Sequence, residues 1–122
     1  MINVDKIGEF SSEVIKTLNL DIPAGTAIYI GESNIEHMRN RHKKEFDKYY
    51  SRLPKILSDP DYVGINPKDE SIEIVKIFSK YIKVAVRIAN DGDYYIRSLY
   101  EVGKSRIDNS LKNGQLKPLT KP

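Results

Sequence analysis

Residues 82–101 read IKVAVRIANDGDYYIRSLYE. In the first run Ile82, Val84, Val86 and Ile88 alternate with Lys83, Ala85, Arg87 and Ala89. Successive side chains of a strand point to opposite faces, so this period of two predicts a strand with one buried face. Asn90-Asp91-Gly92-Asp93 carries the Asp-Gly hairpin signal, and Tyr94–Glu101 is the return strand. With Asp91-Gly92 as a two-residue turn, Arg87 faces Ile96 and Ala85 faces Ser98. One face then holds Val84, Val86, Ile88, Tyr95, Arg97 and Leu99 and should be core. The other holds Lys83, Ala85, Arg87, Tyr94, Ile96, Ser98 and Tyr100. Arg97 is the discord on the apolar face. It is paired there, it sits at the rim, or a bulge exchanges the faces.

Working outward, Ser71–Phe78 and Thr26–Ile30 also read as strands, which makes a roughly four-stranded antiparallel sheet. Residues 5–18 place Ile7, Phe10, Val14 and Leu18 near helical spacing, with Ile15 beside them, and predict an amphipathic helix. Ser33 with Glu36 three residues later is a capping box, opening a helix that runs to His42 or Lys44. Phe46, Tyr49, Tyr50 and Leu53 continue at helical spacing, and Pro54 interrupts that run or opens a further turn. Gly103–Lys112 is a last short helix, stopped by Asn113-Gly114. Residues 113–122 are expected to be irregular. The fold class is α+β, in one domain over residues 1–122, with residues 1–25 as a helical N-terminal segment.

A chain of 122 residues can bury a core without staples. It has no Cys, which removes disulfides, thiolate nucleophiles and Cys-ligated zinc. No apolar run is long enough to span a membrane. The N-terminal MINVDKIGEFSSEV lacks a basic region followed by an apolar stretch, so no signal peptide is expected and the expected location is cytoplasmic. The net charge of +3 permits a phosphate-bearing partner without demanding one.

Both histidines, His37 and His42, lie in Asn34–Phe46, NIEHMRNRHKKEF. Ile35, Met38 and His42 share one helical stripe, while His37 lies with Asn34 and Arg41 on a more polar face. Five residues apart, the imidazoles are about 140° apart around the axis, a poor chelating pair. No metal site and no cofactor is expected. The plain alternative makes His42 a half-buried histidine bonded to a carbonyl, His37 an exposed one, and Arg39, Arg41, Lys43 and Lys44 a solvated face. The functional reading is metal-independent RNA cleavage. That reaction uses the ribose 2′-OH as nucleophile and needs a base near neutrality, an acid for the leaving oxygen and cations for the phosphorane. His suits the first two roles and Arg the third. Arg39, Arg41, Lys83, Arg87, Tyr94 and Tyr100 are the candidate RNA-binding residues, a cationic face with aromatic edges.

The order helix, strand, helix with H-M-x-x-R-H (37–42), then L-P-x-I-L-x-D-P-D-Y-V (53–63), two strands, Y-Y-I-R-S-L-Y (94–100) and a helix ending N-G-Q-L (113–116) has a counterpart. From residue 27 to 119 it resembles the phage-associated nuclease domains of the Barnase–EndoU–colicin–RelE superfamily. The resemblance implies an RNase-like fold with N-terminal helices, a four-stranded antiparallel sheet and a metal-independent site. It carries His42, with His37 close by, and Ser98 over as site residues, with Arg97 beside Ser98. The chain departs from the better-known bacterial RNases in having no matching carboxylate on the strand before the hairpin; Glu73 lies on an earlier strand. The expected function is an endoribonuclease of toxin or phage-defence type, which implies an antitoxin or immunity protein as partner. The alternatives are an RNA- or protein-binding module and a phage structural or packaging accessory on the same scaffold.

Overall fold

The computed structural model describes residues 4–119. The hairpin is its centre. Strands β5 (Tyr81–Ile88) and β6 (Tyr94–Val102) pair antiparallel. The turn is one residue longer than the Asp-Gly signal suggests. Ala89 N–H donates to Asp93 O at 2.8 Å and Gly92 N–H to Ala89 O at 2.9 Å, so Asn90-Asp91-Gly92 is a three-residue loop. Gly92 closes it at φ +87°, the left-handed conformation this loop class demands. The extra residue turns the start of β6 over, so Arg87 pairs with Tyr95 rather than Ile96. A bulge on β6, opposite the Ala85–Val86 step of β5, then restores Ala85 opposite Ser98. Arg97 is the surplus residue on β6, and its side chain is exposed. The discordant arginine thus marks a bulge, which re-aims side chains without disturbing the core on either side.

Among the described residues the sheet has seven strands, not four: with β1 (Val4–Glu9), β2 (Ala27–Gly31), β3 (Tyr62–Ile65), β4 (Ile72–Ile77) and β7 (Leu116–Pro118), the order is β1-β2-β6-β5-β4-β3-β7. It is mixed: β2 (Ala27–Gly31) runs parallel to β6 and the other pairs are antiparallel. Strands β4 (Ile72–Ile77) and β5 form its middle. Three strands escape the sequence reading. β1 (Val4–Glu9) takes up the first five residues of the expected N-terminal helix and pairs with β2. Gly8 disfavours helix there, and a Cβ at Gly8 would stand 2.8 Å from Leu57 Cδ1. Helix α1 (Ser12–Leu18) begins only after Ser11, whose hydroxyl accepts from Val14 N–H. β3 (Tyr62–Ile65) and β7 (Leu116–Pro118) are short and pair with each other. β7 lies in the expected irregular tail, and its proline is tolerated because β7 is an edge. Gly64 is required in β3: a Cβ there would lie 1.9 Å from the Gln115 carbonyl oxygen. The expectations for residues 1–3 and 120–122 lie outside the described residues.

Helices α2 (Glu32–Arg41), α3 (Lys43–Tyr49) and α4 (Leu53–Ser58) follow β2, with a 3-10 turn at Tyr50–Arg52. Helix α2 starts one residue before the expected cap. Gly31 is its N-cap, and Gly31 N–H donates to Asn34 Oδ1 at 3.3 Å. Pro54 falls in the first turn of α4, where its missing N–H costs nothing. Helices α1 to α4 bury Val14, Met38, Phe46, Tyr49, Leu53, Ile56 and Leu57 against one sheet face, formed by residues such as Ile28, Ile30, Ile74, Ile82, Val84 and Leu99. On the opposite face α5 (Lys104–Lys112) covers a smaller cluster of Val75, Val102, Ile107 and Leu116. Strand β4 is therefore buried on both sides, which explains its nearly continuous apolar run.

Candidate active site

The parallel pairing of β2 with β6 lasts two residues, Ile28 with Tyr94 and Tyr29 with Tyr95. Beyond it β2 turns into α2 at Gly31, and β6 continues from Ile96 to Val102 with no strand on that side among the described residues. Helices α2 and α3 lie against this free stretch of β6. Between them opens a cleft of about 610 Å³. It is lined by Asn34, His37, Met38, Arg41 and His42 from the α2 side and by Arg97, Ser98 and Tyr100 from β6.

The fold therefore brings together six residues singled out from the sequence: His37, Arg41, His42, Arg97, Ser98 and Tyr100. No carboxylate lines this cleft. Arg41 and Arg97 are exposed and form no ion pair among the described residues. The cleft is thus electropositive, with two free guanidinium forks that match a phosphate. Its cationic character follows from geometry: α2 ends here, and the bulge pushes Arg97 out of the strand alternation.

His42 sits at the junction of α2 and α3. Its N–H donates to Met38 O and its carbonyl accepts from Phe46 N–H, both at 2.8 Å, so its backbone is fixed from both helices. The imidazole stacks on Tyr100 with ring centroids 5.6 Å apart and 21° between planes. Nδ1 lies 3.1 Å from Glu45 Oε2. The partner is thus a carboxylate rather than the carbonyl of the plain reading. A carboxylate beside Nδ1 favours a proton on that nitrogen in the neutral ring, which would make Nε2 the basic one. Glu45 was not singled out from the sequence. The available signal was a Glu three residues after a His at a helix junction, a spacing common enough to carry little on its own.

Other candidates lie elsewhere. Arg39 points away from the cleft, 3.7 Å from Asp47 and 5.2 Å from the centre of the Phe46 ring. Tyr94, expected on the outer face, packs edge-on against Phe10 at 5.0 Å on the core side, because the three-residue loop inverts the start of β6. Arg87 and Tyr95 line a neighbouring cleft. Lys83 is held in a buried pair with Glu73, Nζ to Oε2 3.0 Å, and Glu73 also accepts from Gln115 Nε2 at 2.7 Å. Glu73 is 2% exposed and committed to this network, so it holds β4, β5 and the start of β7 together and stands clear of the His42 cleft. The Asp59-Pro60-Asp61 segment is likewise structural. Lys76 Nζ sits 3.1 Å from Asp59 Oδ2, and Asp61 Oδ2 accepts from Ile77 N–H at 2.7 Å. Lys76 and then Lys55 hold the exposed Asp59 carboxyl below the usual carboxylate range. Among the described residues no group of three or more His, Asp or Glu is placed to hold a metal ion. Among the described residues no helix is long and apolar enough to cross a membrane.

Residues 5–109 match the family model described as phage-Barnase-EndoU-ColicinE5/D-RelE like nuclease3. No curated protein and no solved structure matches the chain.

Proposed function

The chain belongs to this phage-associated nuclease family, and from that premise we propose that it is a metal-independent endoribonuclease acting at the His42 cleft. The observation that supports this best is the convergence of two histidines, two unpaired arginines and a serine in one cleft, with the Glu45 carboxylate beside His42. In the proposed reaction His42 Nε2, with Nδ1–H held by Glu45, takes the proton of a ribose 2′-OH. The 2′-oxygen attacks the adjacent phosphorus, and the bond from phosphorus to the 5′-oxygen breaks. His37 gives that oxygen its proton. The products are a 2′,3′-cyclic phosphate and a 5′-hydroxyl. Arg41 and Arg97 stabilise the charge that builds on the phosphorane oxygens, where fixed cations contribute most. Ser98 donates a hydrogen bond to the phosphate. Such an enzyme acts as a toxin of a phage or other mobile element, and its host needs an antitoxin or immunity protein that covers the cleft.

A test is digestion of total bacterial RNA by the purified protein in EDTA. Discrete products that disappear with Ser98→Ala and Arg97→Ala together are expected. RNA left intact at every protein concentration would exclude the enzyme and leave an RNA- or protein-binding role for the cationic cleft.

A further inference from the structure

A second cleft, of about 540 Å³, adjoins the first and shares Asn34 and Arg97 with it. Its floor is different. Tyr95, which was expected in the core, is turned outward into it by the hairpin loop. Cross-strand pairing puts Tyr29 on one side of Tyr95 and Arg87 on the other, so the three share a face of the sheet. The Tyr29 and Tyr95 rings lie 5.8 Å apart. Tyr95 is held in place from its tip, since its hydroxyl donates to Asp91 Oδ2 at 2.8 Å. A pinned tyrosine ring in a concavity, flanked by Arg87 and Arg97 and joined to a cationic cleft, describes a stacking platform with phosphate clamps at its edges.

We infer that this second cleft is a nucleobase subsite: the base next to the phosphate held by Arg97 stacks on Tyr95. The inference rests on the nuclease reading for the identity of the strand as RNA. It adds where the neighbouring nucleotide goes and which side chains hold it. Arg97, at the bulge, is the hinge of the arrangement: its guanidinium reaches one phosphate while the flanking nucleotides lie in the two clefts. Base–aromatic stacking tolerates any base, because each has a π-face, so the subsite orders the substrate more than it selects sequence.

The test is binding of a fully 2′-O-methylated RNA of about eight nucleotides, which cannot supply a 2′-OH nucleophile. Each position is made abasic in turn, with cleavage of unmodified RNA measured in parallel. The wild-type protein is expected to lose about tenfold in affinity when one particular base, or two adjacent ones, is removed. Tyr95→Ala should lose a similar factor on the intact oligonucleotide and become insensitive to that same abasic position. Tyr95→Phe, which keeps the ring, should retain both the affinity and the sensitivity. A flat abasic scan with the wild type overturns the subsite, and this arm needs no variant to fold. So does a Tyr95→Ala loss that simply adds to every abasic loss, which marks a general structural defect. Cleavage with a flat scan removes the subsite and leaves the nuclease standing. A position-specific scan without cleavage keeps the subsite and removes the nuclease.

Discussion

His42→Ala is expected to lower kcat for RNA cleavage by about a thousandfold, the range for a positioned general base, while RNA affinity changes little. The asymmetry follows from where the imidazole sits. It stacks on Tyr100 and is oriented by Glu45, but the cations of the cleft are Arg41 and Arg97, which the substitution leaves in place. Steady-state kinetics beside a binding titration separates the two effects. Glu45→Gln should lower kcat by less than His42→Ala does, with KM unchanged, because it removes an orienting partner and not the reacting nitrogen. A loss of affinity equal to the loss of turnover in His42→Ala would instead make His42 a binding residue only.

The largest stability effect is expected at Glu73, far from the chemistry. The Glu73 side chain is 3% exposed and Lys83 is 15% exposed, and they meet at 3.0 Å. Removing one partner of a buried pair leaves the other charge uncompensated, so Glu73→Ala should cost about 3 kcal/mol. That corresponds to roughly 10 °C or more in Tm for a domain of this size. It should also loosen β7, because the Gln115 amide loses its acceptor. Glu73→Leu with Lys83→Met should recover most of the loss, since a dry apolar pair has no stranded charge. Thermal and urea melts of the three proteins decide this. The pair also sets an alkaline limit. Burial pulls the Lys83 pKa down, but the Glu73 carboxylate outweighs it and holds the ammonium above its ordinary 10.5. The folded pKa therefore exceeds the unfolded one. Its stabilisation is fully present below about pH 10.5 and is lost as pH rises through the higher folded value. The stability difference between wild type and Lys83→Met should shrink over that window.

How much of this was legible in the chain depends on where local signals agree with tertiary context. The alternation of Ile82–Ile88, the place of the hairpin at Asp91-Gly92 and the helix at Gly103–Lys112 were readable because pattern and propensity point the same way. Ile7, Phe10, Val14 and Leu18 mimic a helical stripe although the chain leaves β1 and enters α1 around Phe10-Ser11, which divides them. Only the capping Ser11 and the pressed Gly8 argue otherwise. Strands β3 and β7 are too short to show a period; pairing, not propensity, makes them strands. The one-residue difference in the hairpin loop had the widest consequence. It exchanged Tyr94 for Tyr95 on the outer face, while the bulge at Arg97 left Ser98 and Tyr100 where the simple register put them. The candidate site was legible as a set of residue types that the fold brings to one cleft, histidines on or at the end of one helix and Arg-Ser on the last long strand. Its partnership with Glu45 depends on the bend between α2 and α3, and the sequence shows no such bend.

The central claim is the chemistry assigned to the His42 cleft, and analysis of product ends tests it most directly. An RNA oligonucleotide with one mapped cleavage site is incubated with the protein in EDTA, beside the same oligonucleotide carrying a 2′-deoxy sugar at that site. The account predicts a 2′,3′-cyclic phosphate and a 5′-hydroxyl from the first and no cleavage of the second. Cleavage of the deoxy substrate, or 5′-phosphate ends that form only when a divalent metal is restored, would contradict it.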